Sequence, residues 1–122
     1  MSDEPLSGPF RLPEAPAATD LVAKYFRGLG DPLRLRILDE LRTEGELSVG
    51  ELATRLDVTQ PKISNHLACL RWCEFVEARR DHRTVLNRIS DGRVVEMLEL
   101  AQALLADNAE HVAACGRIDD TP

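Results

Sequence analysis

The chain has 122 residues, 43% of them hydrophobic and 30% charged, at a formal charge of −6. That is enough for one compact domain, and no run of about 18 apolar residues exists to span a bilayer. Asp3 and Glu4 stand where a signal peptide would be positive, so a cytoplasmic protein is expected, and three cysteines in a reducing compartment favour ligand or redox chemistry over a disulfide framework.

Residues 1–17 hold Pro5, Pro9, Pro13 and Pro16 with little periodicity and read as a disordered arm. Thr19 or Asp20 then opens a first helix with Leu21, Val22, Tyr25, Phe26 and Leu29 as its apolar stripe, ended by Gly30. Asp31-Pro32 restarts the chain as cap and first helical residue, and Leu35, Ile37, Leu38 and Leu41 supply the buried side of a second helix closing near Gly45. Ser48 and Glu51 form a capping box for a short third helix through about Leu56, with Asp57-Val58 as the turn beyond it.

The fourth helix follows directly, which makes a helix-turn-helix. Thr59 can cap it, Pro61 suits its first turn, and Ile63, Leu67 and Leu70 recur at helical spacing. Thr59, Gln60, Lys62, Ser64, Asn65 and His66 are polar groups able to reach base edges and phosphates, as the leading end of a recognition helix must. At the far end Cys69 and Cys73 lie one helical turn apart, with Cβ atoms roughly 5–6 Å from each other, close enough to share one soft metal ion.

After Glu74 the period changes. Phe75 to Arg80 and Arg83 to Ile89 read as strands joined at Asp81-His82, and Arg79, Arg80, His82 and Arg83 gather at the hairpin tip, placed for phosphates or the minor groove. Asp91 caps a long last helix whose Val94, Val95, Met97, Leu98, Ala101, Leu104, Leu105 and Val112 exceed what a small core absorbs, so a homodimer is expected. This helix should fray near Cys115-Gly116, leaving 116–122 as a flexible acidic tail behind a single domain over 18–115. The overall charge argues against a nucleic-acid partner, but its distribution does not. From Thr59 to Arg88 six basic residues oppose three acidic ones, while the other 92 residues carry −9.

Leu29-Gly30-Asp31-Pro32-Leu33-Arg34-Leu35-Arg36-Ile37-Leu38, Glu51-Leu52-Ala53 and Gln60-Pro61-Lys62-Ile63-Ser64-Asn65-His66-Leu67, followed by the basic hairpin, resemble the ArsR/SmtB family over roughly residues 18–115. The resemblance implies a mainly α fold with a β-hairpin wing, a winged helix-turn-helix whose fourth helix is the recognition helix. It further implies a homodimer built through the first and last helices, which binds double-stranded operator DNA in the apo form and leaves it when metal binds. Ser48 and Gly50 replace the Cys-x-Cys of one arsenic-sensing branch, and Asp107, Glu110 and His111 lack the spacing of the zinc-sensing branch. The CmtR-type branch of cadmium and lead sensors is similar in its Cys-x-x-x-Cys on the recognition helix and a third cysteine near the carboxy terminus. Cys69, Cys73 and Cys115 fill those positions, with the third thiolate implied to come from the other protomer. Cd(II) and Pb(II) are thereby favoured as effector, and As(III) or Hg(II) also suit three sulfurs.

Other readings compete. A cysteine is most often a small buried hydrophobe, and the regulator could be a thiol redox sensor or respond to no metal. A Cys69–Cys73 disulfide would lie within one helix and constrain little. A winged-helix protein that only docks partners is a further class. An enzyme is another, yet no phosphate loop, paired carboxylates or base-activated nucleophile appears in the sequence.

Overall fold

The structure, a computed structural model, describes residues 15–119. Its elements are α1 (Ala15–Leu29), α2 (Pro32–Glu44), α3 (Val49–Leu56), α4 (Gln60–Trp72), β1 (Val76–Asp81), β2 (Thr84–Ile89), α5 (Gly92–Ala113) and a final turn, α6 (Gly116–Asp119).

The local signals that set the helix ends act as expected. The Asp31 carboxylate accepts from the Leu33 and Arg34 amides at 2.8 and 3.1 Å, which satisfies two of the unpaired donors at the start of α2. Ser48 and Glu51 close their capping box at 3.1 and 2.9 Å. Asp91 accepts from the Arg93 amide at 2.8 Å to start α5. Gly45 ends α2 at φ +92°, a backbone angle that a side chain would resist.

One core lies under these elements. Ile37, Leu38 and Leu41 of α2, Leu52 and Leu56 of α3, Ile63, Leu67 and Leu70 of α4, and Phe75, Val76 and Val94 are buried together. Each large side chain removed from water contributes about 1.5–3 kcal/mol, so α2, α3 and α4 are held mainly by this shared apolar face. Tyr25 of α1 leans on Phe75 with ring centroids 4.4 Å apart.

Several expectations change. The first helix begins at Ala15 rather than Thr19 or Asp20, with Pro16 in its first turn, where the missing N–H costs nothing; the rest of the expected arm, 1–14, lies outside the described residues. Leu35 is 39% exposed, not part of the buried side of α2. Thr59 occupies the N-cap position of α4, but its hydroxyl makes no capping hydrogen bond. The antiparallel pairing runs from Val76 opposite Ile89 to Asp81 opposite Thr84, so the two loop residues are His82 and Arg83, one step later than expected. His82 adopts φ +59°, which the twist of a two-residue hairpin loop requires at its first position. Residues 116–119 form a helical turn where a tail was expected, and α5 is interrupted at Asn108 (φ −132°, ψ 22°).

The apolar surplus of the first and last helices is on the outside. Phe26 is 58% and Leu104 65% exposed, with Val22, Leu100, Leu105 and Val112 also exposed.

Candidate nucleic-acid interface and thiol pair

The α4 residues divide by face. Ile63, Leu67 and Leu70 point into the core, while Pro61, Asn65, Ala68 and Trp72, spaced at four, three and four residues, line the opposite, exposed face. Gln60, Lys62 and Ser64 are exposed beside them. The leading end of the helix therefore offers amide, hydroxyl and ammonium groups to solvent on a rigid element, together with unpaired backbone N–H groups suited to phosphate.

His66 departs from that set. It is half-buried, and its Nδ1 accepts a 3.0 Å hydrogen bond from Arg34 Nε of α2, while Arg34 also donates to the Gly28 carbonyl at 3.1 Å. One ring nitrogen of His66 is thus spent on holding α4 to the α1–α2 junction.

The wing divides similarly. Arg79 makes a bidentate pair with Glu46, at 2.6 and 2.7 Å, which holds the Glu46 carboxyl below the usual carboxylate range. It braces the hairpin against the connection between α2 and α3. Arg88 pairs with Glu77 directly across the two strands at 2.6 Å. Arg80, His82 and Arg83 remain exposed around the loop, and neither Arg80 nor Arg83 makes an ion pair among the described residues. Lys62, Arg80 and Arg83 are thus exposed basic groups of α4 and the wing without an ion-pair partner among the described residues.

At the root of the wing Asn87 is fully buried. Its Nδ2 donates to the Leu47 carbonyl at 3.2 Å, its Oδ1 accepts from Arg71 Nη1 at 3.3 Å, and its backbone exchanges two further hydrogen bonds with Leu47. Sequence reasoning missed Asn87, Arg71, Arg34 and Glu46. The one available signal was Asn87 itself, an amide interrupting the alternation of Val85 and Ile89.

Cys69 and Cys73 are both half-buried at the end of α4. Burial pushes the Cys73 thiol up from its ordinary value, the neighbouring Cys69 adds to this, and the charges of Arg34 and Lys24 partly offset it. Two soft donors so placed fit a thiophilic ion, which would displace their protons. Cys115 is half-buried beyond the end of α5, and its amide donates to the Val112 carbonyl at 3.1 Å. Among the described residues of one chain, no three Cys, His, Asp or Glu side chains lie together as metal ligands. The structure thus brings Cys69 and Cys73 together and leaves Cys115 apart from them within the protomer. Asp107, Glu110 and His111 are exposed on α5. No described helix is long and apolar enough to cross a membrane.

Comparison with known proteins agrees with this geometry. Residues 31–78, from the α2 cap into the first strand of the wing, match the model for the bacterial regulatory protein, arsR family. A probable mercury resistance operon repressor of Streptomyces lividans is 37% identical over 119 residues, covering 97% of this chain and 94% of that one. The regulator CmtR of Mycobacterium tuberculosis is 37% identical over 97 residues, or 79% of this chain and 81% of its own length. A homodimeric winged helix-turn-helix DNA-binding domain from Mycobacterium bovis, solved by solution NMR, superposes with a TM-score of 0.67 at 33% identity, covering 76% of this chain and 84% of that one.

Proposed function

The chain belongs to the ArsR family of bacterial regulatory proteins, and from that premise we propose that it is a metal-responsive repressor. It binds operator DNA as a homodimer in the apo form and is released by a thiophilic heavy-metal ion. A DNA-binding regulator of this family is not an enzyme. A cytoplasmic location accords with an operator as its partner.

The observation that carries the metal reading is the pairing of the Cys69 and Cys73 thiols at the end of the same helix that presents Lys62, Ser64 and Asn65. Thiolate sulfur prefers a soft ion to a hard cation. The resemblance to CmtR-type sensors makes Cys115 of the partner protomer the third sulfur, and no set of three ligands within one described chain competes with it. Cd(II) and Pb(II) are favoured by the likeness to CmtR. Hg(II) gains weight because the relative named for mercury resistance aligns over nearly the whole chain. As(III) also suits the donor set. A Cys69–Cys73 disulfide would lie within one helix and constrain little, which weighs against the redox alternative.

Dimerisation through α1 and α5 gives the exposed Val22, Phe26, Leu100 and Leu104 a partner surface. It also places two recognition helices for two half-sites of a duplex.

The test is a metal titration of the reduced protein on an operator selected from a random duplex pool, followed at once by thiolate-to-metal absorption and by DNA release. Absorption and release that rise together support the reading. Metal binding without release would leave a metal-binding regulator whose effector is something else.

A further inference from the structure

The wing is a lever with its fulcrum at Asn87. From Asn87 to Arg83 the strand runs four residues, about 13 Å at roughly 3.3 Å per residue, and beyond the Arg79–Glu46 brace no described residue outside the hairpin supports it by a hydrogen bond or ion pair. A tilt of about 10° at the root would carry the loop roughly 2 Å, enough to break a hydrogen bond to a phosphate. The angle at the root therefore decides whether Arg80 and Arg83 reach DNA while α4 occupies the groove.

That angle is set by few groups, the exposed Arg79–Glu46 pair on one side and the contacts of Asn87 at the root. Asn87 is the only polar side chain fully buried among the described residues. Its Nδ2 and backbone fasten β2 to Leu47 of the α2–α3 connection, and its Oδ1 takes the Arg71 guanidinium from the last turn of α4. The Arg71 bond is the only side-chain hydrogen bond between α4 and the wing among the described residues. Arg71 is itself exposed, so its contact with Asn87 is not needed to fill the core.

We propose that Arg71 and Asn87 are positioning residues for DNA binding, their hydrogen bond fixing the wing at the tilt from which Arg80 and Arg83 meet the phosphates on either side of the groove that α4 enters. This rests on the DNA-binding reading above. Arg71 on this account touches Asn87, not the DNA.

The test is a double-mutant cycle on the full-length, metal-free protein, with fluorescence anisotropy of a labelled random-sequence duplex at low salt. Arg83→Ala is expected to weaken binding about fivefold, the size of one charged contact, Arg71→Met to weaken it more because Arg80 and Arg83 are displaced together, and the double variant to be no weaker than Arg71→Met alone. In the free Arg71→Met protein the backbone amide resonances of His82 and Arg83 should shift while that of Asn65 stays in place. Equal penalties for Arg83→Ala in both backgrounds would mean that Arg71 contacts DNA directly, and would overturn the proposal. Wild-type affinity in Arg71→Met, or unshifted wing resonances, would overturn it as well. Failure of the wild type to bind any duplex would remove the DNA-binding reading itself, and the positioning role with it.

Discussion

The Nδ1 of His66 accepts a hydrogen bond from Arg34 Nε at 3.0 Å, so a residue near the leading end of the recognition helix is turned inward to a brace. This separates two kinds of residue that the sequence places side by side. Asn65 is exposed and, on the proposed function, free to read bases; His66 is half-buried and bonded to α2. His66→Ala is expected to cost about 1 kcal/mol of folding stability in urea denaturation. It should weaken DNA binding by a similar factor on every sequence. Asn65→Ala should leave stability unchanged, cost about 1–3 kcal/mol on the operator and relax base preference. A change in base preference from His66→Ala, measured by selection from a random pool, would return His66 to the reading set.

The thiols should differ in their roles. Cys69→Ser or Cys73→Ser is expected to abolish strong metal binding while the apo protein still binds operator. Cys115→Ser should retain weaker metal binding and release DNA poorly, because on the proposed mechanism a third sulfur engaged only in the released form biases the equilibrium. About 5.5 kcal/mol of differential binding is needed for a full reversal of occupancy. Trp72, 88% exposed and adjacent to Cys73, should report binding in its fluorescence. Release of Cys115→Ser at the wild-type metal concentration would refute this division of labour.

On the proposed function, the homodimer is built on the exposed apolar positions of α5. Leu104→Asp and Leu105→Asp should shift the homodimer toward monomer in sedimentation at micromolar concentrations, since each puts an uncompensated charge into the proposed interface. Leu98→Asp should do so less cleanly. Leu98 is half-buried against the core and also lines, with Leu35 and Leu105, a groove of about 190 Å³ between α2 and α5, so that substitution costs folding stability as well. A wild type that sediments as monomer at tens of micromolar would end the dimer reading.

The start of α5 should be acid-sensitive. The Arg93 guanidinium, and then the Arg93 amide, hold the Asp91 carboxyl at about 2, against an ordinary value of 3.8. A carboxyl depressed in the folded state stabilises it fully above the unfolded value, and the contribution disappears as pH falls from about 4 toward 2. Asp91→Ala should therefore be less stable than wild type at neutral pH, and the two should approach each other in thermal melts as pH falls from about 4 to about 2. A constant difference between them across that window would contradict the assignment.

The sequence was informative where the cause of structure was local. Asp31, the Ser48–Glu51 box and Asp91 announce helix starts because a cap acts within three residues, and the inward face of α4 is legible from a spacing of three and four. It was uninformative where distant segments choose each other. Arg79 looks like any wing arginine until the fold brings Glu46, 33 residues earlier, within 2.6 Å. His66 looks like a groove contact until Arg34 meets it. Leu35 shares the apolar character of its neighbours but sits on the side of α2 that the single-chain core does not reach, and no periodicity separates a core-facing leucine from one at the rim of a groove. The hairpin loop was displaced by one residue because Asp81 and Arg83 are equally acceptable in polar turns. The register was decided by burying Val76 and Asn87 together, a choice made on the opposite end of the ladder.

The interruption of α5 at Asn108 has a bearing on how such a chain can change over generations. Residues before it carry the leucines offered for association, and residues after it carry Cys115, with the regular helical hydrogen-bond geometry broken between them. In an unbroken helix the direction of the end that carries Cys115 would be fixed by the leucines upstream. A joint uncouples the two. On the function proposed above, changes in residues 109–119 can therefore re-aim Cys115, and with it the choice of ion, while the leucine-bearing segment and the recognition helix stay as they are.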